Sequence, residues 1–92
     1  MTTHELAEHL RAQGIQVLRV VSRTVRRKKD SGDLVKVGDI ELSNDLDLSV
    51  DETGVMYLRW WMPEQRHQVA IGTYQSAQVD ELVQAIKDHR PA

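Results

Sequence analysis

Cysteine and phenylalanine are absent from this chain of 92 residues. Without cysteine there is no disulfide, no thiolate metal site and no cysteine nucleophile. No apolar run approaches the roughly 18–20 residues that a membrane helix needs. Met1-Thr2-Thr3-His4-Glu5 has neither the basic nor the apolar region of a signal peptide. Both absences lead to the expectation of a cytoplasmic protein without a membrane partner. Catalytic signatures are missing too: no Gly-rich phosphate loop follows a strand, and neither G-x-S-x-G nor H-E-x-x-H occurs. Of the histidines His4, His9, His67 and His89, the first two are five apart and do not align on one helical face as a metal pair would. Carboxylates on a strand face in water are expected to keep ordinary pKa values. The expectation is a protein that is not an enzyme, with no catalytic residue, metal, cofactor or small-molecule substrate.

What is present reads as one domain over 1–92, without repeat, linker or low-complexity stretch. Residues 2–13 predict a helix: Thr2 and Glu5 have capping-box spacing, Leu6 and Leu10 share a face, and Gly14 supplies the left-handed residue that ends it. The period then becomes alternating. Strands are predicted over about 15–29, 33–42, 46–51, 55–62 and 66–74, with turns at Lys29-Asp30-Ser31-Gly32, Ser43-Asn44-Asp45, Asp51-Glu52-Thr53-Gly54 and Pro63-Glu64-Gln65. A second helix is predicted over 76–90, with Ser76 as N-cap, Val79, Leu82, Val83 and Ile86 as its apolar stripe, and Pro91 as its stop. The sum is an α+β fold: an antiparallel meander of about five strands with both helices on one face.

The net charge of −2 hides an asymmetry. Arg19, Arg23, Arg26, Arg27, Lys28 and Lys29 form a block without an acid, and Asp39, Glu41, Asp45, Asp47, Asp51 and Glu52 a block without a base. Such blocks neutralise each other only where their strands are neighbours, as in a meander they partly are. Arg26-Arg27-Lys28-Lys29 runs into a hairpin tip where cations can reach phosphates; the alternative is a solvated tip guarding a strand edge. Asp45, Asp47, Ser49 and Asp51 share one strand face, a row that can mimic a phosphate backbone and occupy a basic groove. The alternatives are a solvent face, or a hard-cation site that lacks the Gly and Glu of a calcium loop.

Adjacent Trp60 and Trp61 must point to opposite faces. Met56, Leu58, Trp60 and Met62 form the apolar set expected in the core. Val55, Tyr57, Arg59 and Trp61 are left on the outer face, an aromatic–cation patch of the kind that makes interface hot spots or stacks on bases.

Gly54 to Lys87 resembles the N-terminal arm-type DNA-binding domain of phage integrases, through Tyr57-Leu58-Arg59-Trp60, a short turn, Val69-Ala70-Ile71-Gly72-Thr73-Tyr74 and a helix opening after Ser76. In that family a three-stranded sheet enters a DNA groove with a helix behind it. The resemblance implies that Arg59, Trp61, Arg66 and Gln68 lie on or near the reading face. In type, a domain this small, split into basic and acidic blocks, is similar to the small phage-encoded inhibitors that include anti-CRISPR proteins. That similarity implies a stoichiometric binder of a protein or protein–RNA complex. The candidate binding residues are Arg23, Arg26, Arg27, Lys28, Lys29, Tyr57, Arg59 and Trp61, with Asp45, Asp47 and Asp51 as an acidic partner-binding face. Nucleic-acid contact would come through the basic hairpin. A duplex-DNA module and a self-associating structural protein are the other classes.

Overall fold

In a computed structural model, residues 2–26 and 34–89 are described, with the side chain of Arg26 left out. Helix α1 (Thr3–Ala12) is followed by strands β1 (Val17–Arg26), β2 (Leu34–Leu42), β3 (Leu46–Val50), β4 (Met56–Met62) and β5 (His67–Tyr74). A 3₁₀ turn over Ser76–Gln78 leads into α2 (Val79–Asp88). The strands form one antiparallel sheet in the order β1-β2-β3-β4-β5, the expected meander.

Local chemistry explains each boundary. At the start of α1 the Thr2 backbone N–H donates to Glu5 Oε1 at 2.9 Å and the Glu5 N–H to Thr2 Oγ1 at 3.1 Å, the reciprocal pairing of a capping box. At its end Gly14 is left-handed (φ 83°). The Gly14 N–H donates to the Arg11 carbonyl and the Ile15 N–H to the Leu10 carbonyl, both at 3.0 Å. This is a Schellman closure, which draws the residue after glycine onto the helix. Ile15 is therefore buried as the apolar plug of that cap, and β1 begins at Val17 rather than at 15. The second helix starts with its apolar stripe at Val79, later than the N-cap expected at Ser76 suggests. The Gln78 N–H donates to the Gln75 carbonyl and the Gln75 N–H to Gln78 Oε1, both at 2.8 Å, so Gln75 rather than Ser76 organises a tight first turn before α2. The strand predicted over 15–29 is described as far as Arg26; its last residues, the turn after it and the Pro91 stop lie outside the described residues.

One core joins the layers. Ile40, Leu42, Leu46, Leu48, Val50, Met56 and Leu58 come from one face of β2, β3 and β4, Leu6, Ala7 and Leu10 from α1, and Leu82, Val83 and Ile86 from α2. Because all the sheet residues in this cluster have one parity, both helices lie on the same side. Among the described residues no helix covers the other face of the sheet. No helix of the described residues is long and apolar enough to cross a membrane.

Candidate binding surface

The uncovered face is built from the alternate residues of each strand. Register sets Asp47 directly opposite Arg59, Ser49 opposite both Asp39 and Tyr57, and Val37 opposite Arg23. A polar ladder follows. Arg23 Nε lies 3.0 Å from Asp39 Oδ2, Ser49 Oγ donates to Asp39 Oδ1 at 2.9 Å, and Arg59 Nη2 donates to Asp47 Oδ2 at 2.7 Å and to Ser49 Oγ. Four strands are thus tied by alternating charge on the face away from the core. The blocks of opposite sign, separate along the chain, meet here by lateral pairing.

The ladder decides which charges are engaged. Asp47 is held by Arg59 across half-buried side chains. Asp51 has left the strand and organises the β3–β4 turn: its Oδ1 accepts from the Thr53 N–H (2.8 Å), Thr53 Oγ1 (2.6 Å) and the Val55 N–H (3.0 Å), and its Oδ2 from the Tyr57 hydroxyl (2.9 Å). Asp45 precedes β3, with Asn44 and Asp45 both left-handed (φ 60° and 62°), a conformation these two residue types tolerate better than most. The expected single row of acids is therefore three different environments, and only Asp45 keeps a carboxylate without a side-chain partner among the described residues.

Partial desolvation pushes the Asp51 carboxyl up, but the Thr53, Tyr57 and Val55 donors favour its ionised form and hold it below the ordinary range. Its titration is thus perturbed, unlike the ordinary behaviour expected of a solvated strand-face acid. The same bond, followed by burial and the charges of Asp51 and Glu52, raises the Tyr57 hydroxyl. A folded carboxyl pKa below the unfolded value of about 3.9 stabilises the protein fully above that pH and stops doing so as pH falls through the folded value. A raised tyrosine pKa acts below about 10 and fades as pH rises through the folded value. Asp51→Ala is expected to lower stability at pH 7 by about 1 kcal/mol, the worth of a local capping set. It should also flatten the loss of stability between pH 4 and 2, followed by denaturant melts across pH. An unchanged acid slope would show that Asp51 does not supply it.

Trp61 and Tyr57 are each 38% exposed on this face, and Leu18 is 53% exposed. Leu18 was not among the expected binding residues. A bulge between Val17 and Arg19 puts it outside the strand register, and the adjacent apolar pair Val17-Leu18, which interrupts the alternation, is its sign in the sequence. Leu18, Val21 and Trp61 wall an open cleft of about 560 Å³ whose rim carries Arg19, Glu41 and Asp45. Trp60 faces the core side, half-buried, with its ring edge-on to His89 at 5.2 Å.

The basic residues divide as well. Arg23 stands in the ladder. β3 pairs with β2 only over Gly38–Glu41, so the pairs from Arg23↔Val37 to Arg26↔Leu34 have no third strand. This two-stranded ribbon leaves the body of the sheet and ends at Arg26; Arg27, Lys28 and Lys29 lie outside the described residues. Comparison with protein-family models, curated proteins and solved structures finds no match to the chain.

Proposed function

We propose that this chain is a non-enzymatic binding protein, similar in type to the small phage or mobile-element inhibitors that include anti-CRISPR proteins, which docks on a protein or protein–RNA complex. The observation that carries this reading is the β1–β2 ribbon. It projects past the third strand, and the sequence at its end runs into four consecutive cations, Arg26 to Lys29, of which the last three lie outside the described residues. Cations on such a ribbon reach phosphates without the strand bodies approaching. On the same face, Tyr57 near the root of the ribbon and Trp61 at the opposite end of the sheet offer apolar area of the kind that dominates interface energetics. The acidic row contributes less, because Asp47 and Asp51 are engaged within the molecule. Arg59, which the integrase resemblance puts on the reading face, is tied to Asp47 as well, and a net charge of −2 disfavours independent duplex binding.

The tip is reversed with Arg26→Glu, Arg27→Glu, Lys28→Glu and Lys29→Glu, which leave every residue of the core cluster in place. The expected result is an unchanged melting curve together with loss of the partner captured by the unaltered chain. Unchanged capture would overturn the role of the tip. Binding of random duplex that collapses between about 50 and 200 mM salt would assign the chain to the DNA-reading class instead.

A further inference from the structure

The two edges of the sheet are built differently. β1, at one edge, carries Arg19, Arg23 and Arg26 along its length, and charges of this kind keep edge strands from pairing with other chains. β5, at the other edge, reads HQVAIGTY: eight residues with no Lys, Arg, Asp, Glu or Pro. His67 to Ile71 are all exposed, and Val69 and Ile71 each present 37% of their surface. α2 follows β5 but packs Leu82, Val83 and Ile86 into the core and leaves this edge uncovered. One guarding feature is present, a bulge opposite Leu58 and Arg59 that places Ile71 outside the β4 register. It leaves the stretch from His67 to Ala70 regularly paired with β4, with no strand on its other side among the described residues.

We infer that β5 pairs antiparallel with β5 of a second copy of this chain, making a continuous ten-stranded sheet across a two-fold axis. Three features select a second copy. The strand carries no fixed charge, so two copies meet without repulsion. Antiparallel pairing of a strand with itself is isologous and consumes both bare edges at once, which closes the assembly at two copies. The edges left at its ends are the arginine-bearing β1 strands, whose like charges disfavour further growth by the same pairing. A two-fold axis normal to the sheet also keeps both outer faces on one side, so the two Trp61 side chains belong to one extended surface. The inference stands whether or not the proposed binding function is right, since it concerns main-chain pairing at an edge and not the basic tip.

Sedimentation of the unaltered chain between about 1 and 100 μM tests it. Twice the chain's mass is expected at the upper end. Gln68→Glu with Ala70→Glu is the informative variant: both positions are exposed, and a glutamate at 70 stands opposite Arg59, so the fold is retained. In the dimer, by contrast, carboxylates of the two copies face each other, and the expected result is a monomer throughout the range. Trp61→Ala, on the face rather than the edge, should remain dimeric. Amide exchange supplies a readout that no substitution can confound: protection within His67–Ala70 should rise with protein concentration. A monomer at 100 μM, a dimer that survives the glutamates, or a dimer lost with Trp61→Ala would each overturn the inference.

Discussion

Leu58→Ala is expected to cost about 2–5 kcal/mol, enough to leave a domain of this size close to unfolding. Leu58 is fully buried on β4, flanked by Leu48 on one side and Gly72 on the other. Gly72 has no side chain of its own and the Tyr74 ring lies over it, so on that side the cavity closes only as far as that ring can shift. The cost of such a substitution grows with the cavity left behind. A single domain of 92 residues starts from the lower part of the usual 5–15 kcal/mol, and without cysteine no disulfide offsets the loss. With a shift of roughly 4–8 °C per kcal/mol, the melting midpoint should fall by about 8–40 °C. Trp61→Ala, one turn of the pleat away on the open face, is the control and should move the midpoint little. A small shift for Leu58→Ala beside a large one for Trp61→Ala would mean that the faces of β4 are reversed.

Those faces were readable because period-two alternation is a local property. Leu46, Leu48 and Val50 against Asp47 and Ser49 specify which side of β3 is buried, and the Leu82, Val83, Ile86 stripe specifies the docking side of α2. The turns at Asn44-Asp45 and Gly54 were readable for the same reason, since they rest on what individual residue types tolerate. Lateral pairing is another matter. That Asp47 meets Arg59, and Asp39 meets Arg23, depends on the length of each turn and on bulges at Leu18 and Ile71, and alternation does not encode the partners that these set. The charge blocks were therefore visible as blocks, while their mutual neutralisation was visible only as a general tendency of meanders. Ile15 shows the same limit from the other side. Its β-branched chain fits a strand by propensity, yet the Schellman closure at Gly14 claims it for the helix.

Gly38→Val should be the most damaging substitution outside the leucine core, at about 3 kcal/mol, the upper part of the range for overpacking. In the middle of a strand, glycine is ordinarily a weak choice, and a β-branched replacement would be stabilising. Here the sign reverses, because a Cβ on Gly38 would overlap Thr3 Oγ1 and lie 2.5 Å from Thr3 Cγ2 and 2.7 Å from Thr3 Cβ. These atoms belong to a short side chain on the first turn of α1, fixed to its backbone, so the helix itself must lift. Lifting α1 disturbs Leu6 and Ala7, which are buried a turn further on. Gly38 is also where β2 parts from β3, its last partner there being Val50. The N-terminus of α1 therefore clamps the root of the ribbon that carries the basic tip. Thr3→Gly removes all three close contacts for about 0.3 kcal/mol of helix propensity, the difference between threonine and glycine. In the double variant most of the loss from Gly38→Val should disappear, a coupling that a double-mutant cycle measures directly. Purely additive losses would show that helix and ribbon root are not in contact. If the clamp is as described, Gly38→Val alone should also speed amide exchange over Arg23–Arg26 and Leu34–Val37 while leaving β3 and β4 protected.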